Sequence, residues 1–303
     1  MIVILGPTGI GKSEIALEVA KSINGEIINF DSRQIYKGMD IGTATPSLYQ
    51  QSLIKHHLYS FIAPDQYFNV YEFLKIARAT IKSIQVRGNT PILVGGTGQY
   101  IWALLENWSF PGGPPDLTLR NQLETRLQNN GLNDLLSEYK SLGLKTVIDL
   151  QNPRRLIRAI EKHYTNNNDM HMVHSTDNSN FLSESLIIGL TLQREKLYTI
   201  VNKRICKMYK NGFVDEVRTL ISMGYDKNLP SMSSIGYKET TQLIDGSKTI
   251  ETCINEIVTK THKYIRTQYN WFRLDDTRIK WYEKSEAKQA QIIDKIIAQL
   301  PIK

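Results

Sequence analysis

The chain has 303 residues, 41% of them hydrophobic, which is enough to bury the core of one large domain plus an insertion. Two cysteines without C-x-x-C spacing argue against a disulfide framework and a zinc site, while the formal net charge of +7 at pH 7 favours a polyanionic partner. No apolar run is long enough to span a bilayer and no charged leader precedes the first predicted strand, so we expect a cytoplasmic protein that does not bind membranes.

The first predicted elements are a strand and a helix joined by a glycine-rich loop. The apolar run from Ile2 to Leu5 leads into the spacing G-x-x-x-x-G-K-S, and the amphipathic stretch SEIALEVAKSI follows. In such a loop main-chain N–H groups converge on phosphate oxygens at a helix N-terminus, Lys12 adds positive charge, and Ser13 can ligate Mg²⁺. A plain glycine-rich turn is the weaker alternative. The predicted polyphosphate site consists of Gly6, Pro7, Thr8, Gly9, Ile10, Gly11, Lys12 and Ser13.

Residues 1 to about 110 alternate short strands with helices. The stretches EIINF and PILVGG predict two further buried strands, separated by the amphipathic stretch YEFLKIARATIKSIQVRG. Such alternation predicts a parallel sheet covered on both faces, with ligands at the carboxyl ends of the strands. Asp31 directly follows EIINF and Thr97 directly follows PILVGG, so we expect both to face the same crevice as the phosphate loop.

A second region of different character interrupts this pattern. The turn-rich segment FPGGPPD at residues 110–116 is followed by helical stretches such as LTLRNQLETRLQNN and PRRLIRAIEKHY. Residues 165–180 are polar and aperiodic and predict a mobile loop, after which LIIGLTL returns as a buried strand. We therefore predict an α/β fold: a P-loop-containing parallel sheet core of residues 1–111 and 184–303, with a helical insertion domain of residues 112–183.

Two features argue against the usual ATP or GTP chemistry of this loop. The strand PILV ends in Gly95, Gly96 and Thr97, with no carboxylate to hold Mg²⁺, and the base-reading pattern N-K-x-D is absent. Asp31 could still serve as the metal carboxylate of an ATP-binding nucleotide or small-molecule kinase, so that alternative stays open.

Six blocks of sequence carry a family likeness over most of the chain. They are DSRQIYKGMDIGTATP at 31–46, HHL at 56–58, PILVGGTGQYI at 91–101, NPRRLIRAIE at 152–161, IGYKE at 235–239 and QYNWFR at 268–273. In this order they resemble the bacterial tRNA dimethylallyltransferases. The resemblance implies transfer of a dimethylallyl group from dimethylallyl diphosphate to N6 of the adenosine just 3′ of the anticodon in the tRNA anticodon stem-loop. It also implies Mg²⁺ as cofactor and a monomeric enzyme.

The resemblance assigns roles that the chemistry explains. The exocyclic adenine amine is a poor nucleophile that must lose a proton as the C–N bond forms, and Asp31 is the implied general base. Thr8, Lys12 and Arg194 complete the implied catalytic set, since charge accumulates on the departing diphosphate. A turn or helix-capping carboxylate is the alternative for Asp31.

The chain also departs from the family pattern. Family members usually carry a second diphosphate-facing arginine where this chain has Ile200, and Lys203 or Arg204 could compensate from nearby. A block that usually reads Lys-Arg-Gln is Arg-Thr-Gln here, with Thr267 in place of the second basic residue.

Basic and aromatic residues supply candidate RNA contacts. Arg154 and Arg158 share a helix face at i,i+4, and the stretch KYIRTQYNWFR interleaves cations with aromatic rings, which suits single-stranded RNA. Such charge runs also occur on solvated helix faces. Ser32 and Gln34 are expected to read the target base. The residues predicted to bind tRNA are Asp31, Ser32, Arg33, Gln34, Thr97, Arg154, Arg155, Leu156, Ile157 and Arg158.

Two further alternatives remain besides the kinase. One is a phosphate-loop RNA-binding protein that has no catalytic activity. The other is an adenylate prenyltransferase, which would share the crevice and act on free adenine nucleotides.

Overall fold

The structure is a computed structural model that describes residues 1–109, 116–145, 148–165, 173–174, 181–284 and 289–300. The chain divides into two compact units. The first, here called the sheet unit, comprises Met1–Glu106 and Ser179–Lys303, and the second, the helical unit, comprises Asn107–Asn178. The turn-rich residues 110–115 lie outside the described residues.

The sheet unit is built on a six-stranded sheet in the order β3-β2-β4-β1-β7-β8, in which every neighbouring pair is parallel. The central strand β1 is entirely buried, and its Ile4 lies opposite both Val94 of β4 and Ile188 of β7. A run of apolar residues suits a strand that is covered on both faces. The predicted α/β fold with a parallel sheet is thus confirmed. The strands are β1 Ile2–Leu5, β2 Gly25–Asn29, β3 His56–His57, β4 Thr90–Val94, β7 Leu186–Thr191 and β8 Lys280–Glu283.

The helices of the sheet unit begin at defined caps and bury one apolar face. Asn69 caps α3 by accepting a hydrogen bond from the N–H of Glu72, and Thr249 caps the 22-residue α11 in the same way through Thr252. The helix α4 is buried over almost all of its length. These helices are α1 Lys12–Ser22, α2 Leu48–Leu53, α3 Val70–Val86, α4 Gly98–Leu105, α8 Arg194–Lys210, α9 Phe213–Ser222, α10 Tyr237–Ile244, α11 Ile250–Trp271 and α12 Gln289–Ile297.

The helical unit packs three helices around its own apolar core. Leu123, Leu135, Leu156 and Ile160 are among its buried residues. Within the segment predicted to be a mobile loop, two residues form a short strand, and residues 166–172 and 175–180 lie outside the described residues. The elements are α5 Leu117–Asn130, α6 Leu132–Ser141, α7 Pro153–Tyr164 and the antiparallel pair β5 Trp108–Ser109 with β6 Val173–His174. Across the described part of the chain, no helix combines the length and apolar character needed to cross a membrane.

Candidate active site

The predicted phosphate loop connects the end of β1 directly to the start of α1. Gly9 and Gly11 adopt φ values of +81° and +86°, a left-handed conformation that side chains with a β-carbon rarely take. At Gly6 a β-carbon would lie 2.5 Å from the carbonyl oxygen of Leu190 on the neighbouring strand β7. The glycine spacing is therefore required by the backbone path, which leaves the first N–H groups of α1 without intrahelical partners at the edge of the sheet.

Lys12 and Ser13 open α1 with side chains available to a ligand. The Lys12 ammonium donates a hydrogen bond to the carbonyl oxygen of Pro7 at 2.9 Å, and it forms no ion pair within the part of the chain that the structure describes. Burial lowers the pKa of Lys12 to about 8, against the opposing influence of Asp31. The half-buried Ser13 hydroxyl makes no hydrogen bond to a described residue. An incoming anion would give the Lys12 ammonium an ionic partner, and the Ser13 oxygen is free to coordinate a hard cation.

Asp31 follows β2 at the same edge of the sheet. The Asn29 side chain fixes its backbone, because Asn29 Oδ1 accepts from Asp31 N–H at 2.7 Å and Asn29 Nδ2 donates to the carbonyl oxygens of Asp31 and Leu58. Asp31 Oδ1 accepts one main-chain hydrogen bond, from Arg33 N–H at 2.9 Å. No described residue hydrogen-bonds to Oδ2. One carboxylate oxygen is thus held in place while the other is available to accept a proton.

Thr97 and Ser32 join the ends of two strands beside Asp31. Thr97 Oγ1 accepts from Ser32 N–H at 3.0 Å and donates to Ser32 Oγ at 3.3 Å. Tyr264 lines the same cavity, and burial raises its pKa so that it stays a neutral phenol. The polar groups predicted from the two strand ends therefore share one hydrogen-bonded wall.

Gln268 is a site residue that no local pattern singled out. This side chain from α11 is 2% exposed. Its Oε1 accepts from Thr8 N–H at 2.8 Å and its Nε2 donates to the carbonyl oxygen of Gly96 at 3.0 Å. A β-carbon on Gly96 would overlap the Gln268 amide, which explains the glycine there. Gln268 thus links the phosphate loop to the segment after β4. The block QYNWFR begins with this residue, and that was its only signal in the sequence.

The structure places Arg204 beside the phosphate loop and Arg194 elsewhere. Arg204 donates from Nη1 to Thr8 Oγ1 at 3.3 Å, and burial lowers its pKa. Arg194 is exposed at the start of α8 and lines a separate depression together with Tyr198 and Arg266. Ile200 is 45% exposed. Of the two arginines, Arg204 is the one positioned to meet an anion at Thr8, and a catalytic role for Arg194 stays a prediction.

The loop from Asp31 to Thr45 is supported by one carboxylate from α9. Glu216 Oε2 accepts from the N–H groups of Asp40 and Ile41 at 2.9 and 2.7 Å, and its Oε1 accepts from the Gly42 N–H and the Tyr237 hydroxyl. Gln34 does not line the central cavity, and its amide donates to main-chain oxygens at the end of the same loop. A base-reading role for Gln34 stays a prediction.

A cavity of about 360 Å³ in the sheet unit is lined by several of these groups, and Lys12, Ser13 and Arg194 are not among its lining residues. It brings together residues predicted separately as catalytic and as base-reading, with Arg204 and Gln268 added. No cluster of three or more metal-binding side chains of the His, Cys, Asp and Glu type occurs within the described ranges. The arrangement can hold a diphosphate at the loop and accept a proton at Asp31. Its walls include Thr8, Asp31, Ser32, Arg33, Gly42, Thr97, Arg204, Tyr264, Gln268 and Trp271.

The remaining predicted tRNA contacts lie on α7 of the helical unit. Asn152 caps this helix by accepting from Arg155 N–H, and the side chains of Arg154 and Arg155 are exposed. Arg158 Nη1 instead pairs with the buried Glu161 at 2.8 Å. Leu156 and Ile157 are buried in the core of the unit. The tRNA contacts proposed for these five residues stay predictions.

Comparisons with known proteins agree with one another. The model of the IPP transferase family matches residues 34–275. The tRNA dimethylallyltransferase of Dehalococcoides mccartyi is 39% identical over 296 residues, covering 97% of this chain and 90% of the relative. That of Chloroflexus aggregans is 41% identical over 275 residues, covering 90% and 92%.

A solved structure extends the likeness to three dimensions. The tRNA delta(2)-isopentenylpyrophosphate transferase of Staphylococcus epidermidis matches with a TM-score of 0.72 and 34% identity, covering 98% of this chain and 97% of that one. The resemblance inferred from the six sequence blocks is confirmed. By sequence and by structure, this chain belongs to the IPP transferase family, the family of the tRNA dimethylallyltransferases.

Proposed function

We propose that this chain transfers the dimethylallyl group of dimethylallyl diphosphate to N6 of the adenosine 3′-adjacent to the anticodon in tRNA and releases diphosphate. Family membership supports the reaction class. The observation that carries the proposal is the common cavity: Thr8 of the phosphate loop and Asp31 line the same space, and Arg204, which also lines it, donates a hydrogen bond to Thr8.

The phosphate loop holds the leaving group. Its main-chain N–H groups, the Lys12 ammonium and the Arg204 guanidinium can meet the negative charge that develops as the diphosphate departs. Prenyl diphosphate chemistry in this family is compatible with a divalent metal, and we propose Mg²⁺ held by the Ser13 hydroxyl. When bound, Mg²⁺ would neutralise part of the diphosphate charge.

Asp31 acts as the general base. As the N6–C bond forms, the C–O bond of the dimethylallyl diphosphate breaks and its electron pair leaves with the diphosphate oxygen. The N6 proton passes to the free oxygen of Asp31, whose other oxygen stays bound to Arg33 N–H. Thr97 and Ser32 are hydrogen-bonded to each other and line the same cavity as Asp31.

The tRNA is held by two regions. An enzyme that modifies a base must take it out of the stack and pack it in a pocket, here beside Ser32, Arg33 and Thr97, which line the cavity. Arg154, Arg155 and Arg158 of α7 are proposed to contact the anticodon stem-loop, while the buried Leu156 and Ile157 hold this helix on the core of the helical unit. We propose a monomer, working in the cytoplasm where its tRNA substrates are.

One assay tests the reaction and separates it from the alternatives. The protein is incubated with Mg²⁺, radiolabelled dimethylallyl diphosphate and either unmodified tRNA or AMP, with a tRNA carrying guanosine at the target position as control. Label on unmodified tRNA alone supports the proposal. Label on AMP alone would show an adenylate prenyltransferase. ATP consumption in a parallel incubation with ATP, without label on either acceptor, would show a kinase.

The substitution Asp31→Asn tests the base. The amide oxygen can still accept from Arg33 N–H, so the loop should keep its shape while the proton acceptor is lost. We expect the single-turnover rate to fall by about 10²- to 10⁴-fold with tRNA affinity unchanged. The exposed Asp65→Asn serves as the matched control. An undiminished single-turnover rate in Asp31→Asn would exclude the assigned role.

A further inference from the structure

Lys284 reaches the phosphate loop from the opposite end of the sequence. It directly follows β8, and its N–H donates to the carbonyl oxygen of Thr191 at 2.8 Å. Since β8 runs parallel to β7, this position is at the carboxyl edge of the sheet, where the loop also lies. Lys284 lies beyond residue 275, where the family match ends, and belongs to no motif.

The Lys284 side chain packs against the residue that caps α1. A β-carbon on Gly11 would overlap the Lys284 ammonium, so the absent side chain of this glycine is what admits the lysine. The ammonium is 3.1 Å from a carboxylate oxygen of Glu14 in the first turn of α1. Its side chain is 16% exposed, whereas that of Glu14 is 60% exposed. A largely desolvated cation thus lies beside the phosphate-binding end of the helix.

The ion pair between Lys284 and Glu14 is weak. Ion pairs with exposed carboxylates contribute little because water and salt screen them. A diphosphate carries more negative charge than a carboxylate, and in the loop, away from solvent, its attraction to the ammonium is screened less than that of the 60% exposed Glu14. Lys284 is already largely desolvated and packed against Gly11, so exchanging Glu14 for a phosphate oxygen costs it little further freedom.

We propose that Lys284 is an additional diphosphate-binding residue, whose ammonium leaves Glu14 for a phosphate oxygen when the substrate enters the loop. This inference rests on the proposed function. Arg204 at Thr8 and Lys284 at Gly11 then supply cations at the beginning and the end of the loop, in a chain where Ile200 replaces a basic residue that is usual in the family.

Opposite effects of two substitutions distinguish this role from a structural ion pair. The binding of inorganic diphosphate to the full chain is measured by calorimetry. Lys284→Met should raise the dissociation constant about tenfold or more, because a charge-assisted bond is lost, whereas Lys284→Arg should restore most of the affinity. Glu14→Gln should lower the dissociation constant, because it removes the competing carboxylate.

The pair Lys21 and Glu18 on the same helix provides the matched controls. It has the same charges at 2.8 Å, one to two turns further along α1. Lys21→Met and Glu18→Gln should leave the dissociation constant within about twofold, since exposed charges away from the loop are screened. A shift as large as that of Lys284→Met would mean that only long-range charge is at work and would overturn the proposal. Weaker diphosphate binding in both Lys284→Met and Glu14→Gln would also overturn the proposal.

Steady-state kinetics separates this inference from the proposed function. In Lys284→Met the KM for dimethylallyl diphosphate should rise with tRNA affinity unchanged. Wild-type protein that transfers no label to tRNA would refute the proposed function. Wild-type activity on tRNA combined with equal diphosphate affinity in Lys284→Met would refute the role of Lys284 alone.

Discussion

Gln268→Met is the substitution that tests the architecture of the site most directly. Methionine has a similar length and can occupy the same buried space, but it cannot replace the amide. The change leaves the part-buried Thr8 N–H without its acceptor and the buried Gly96 carbonyl without its donor.

The expected loss follows from these two backbone groups. A buried polar group without a partner costs about 1–3 kcal/mol and the part-buried Thr8 N–H costs less, so Gln268→Met should lower the free energy of unfolding by about 1–4 kcal/mol. The phosphate loop should also lose the bond that positions Thr8. We therefore expect the KM for dimethylallyl diphosphate to rise more than the dissociation constant for tRNA.

Urea unfolding followed by tryptophan fluorescence is the assay. Trp102 and Trp271 lie in the sheet unit and are joined by a hydrogen bond from the Trp102 indole to the Trp271 carbonyl, so their emission reports on this part of the fold. Gln85→Met on the exposed face of α3 is the control and should change stability by less than about 0.5 kcal/mol. If Gln268→Met changed the free energy of unfolding as little as the control does, Gln268 would not link the phosphate loop to the segment after β4.

Three further predictions concern charge. Because burial lowers the pKa of Lys12 to about 8, affinity for inorganic diphosphate should fall roughly tenfold between pH 7 and 9, after correction for the ligand's own protonation; a flat calorimetric profile would contradict this. Burial raises the pKa of Glu26, but its hydrogen bonds, with that from Arg87 the strongest, bring it down to about 2. Glu26 therefore adds stability above its ordinary pKa of 4.5, and this stability is lost as the pH falls toward 2. In urea unfolding at pH 7, Glu26→Gln should lower the free energy of unfolding by about 3 kcal/mol. The difference in this free energy between wild type and variant should narrow below pH 4.5, and a difference that stays constant with pH would contradict the prediction. Finally, Arg204→Met should weaken diphosphate binding about tenfold or more and Arg194→Met less than about threefold, and the reverse order would favour the sequence-based assignment.

The features that could be predicted from the sequence are those that neighbouring residues determine. The glycine spacing of the phosphate loop is read directly, because Gly9 and Gly11 need left-handed backbone angles wherever the loop is found. Asp31 and Thr97 could be placed in one crevice from their positions after two strands, because parallel strands bring their carboxyl ends to the same edge. The two-residue strand β3 had no comparable signal in the sequence, because so few residues cannot show a periodic pattern.

The long-range partners of the site had no such signal. Gln268 meets Thr8 across 260 residues of sequence, and Lys284 meets Glu14 across 270. The choice between Arg194 and Arg204 depends on how α8 lies against the sheet, since ten positions of one helix separate them.

The sequence by itself therefore determined the parallel sheet, the phosphate loop and the carboxylate beside it, since backbone conformation and hydrophobic period are properties of neighbouring residues. Only the tertiary structure decided which cations and which amide complete the site. Their selection depends on the packing of α8, α11 and β8 against the sheet, and that packing is settled by contacts between residues far apart in the chain.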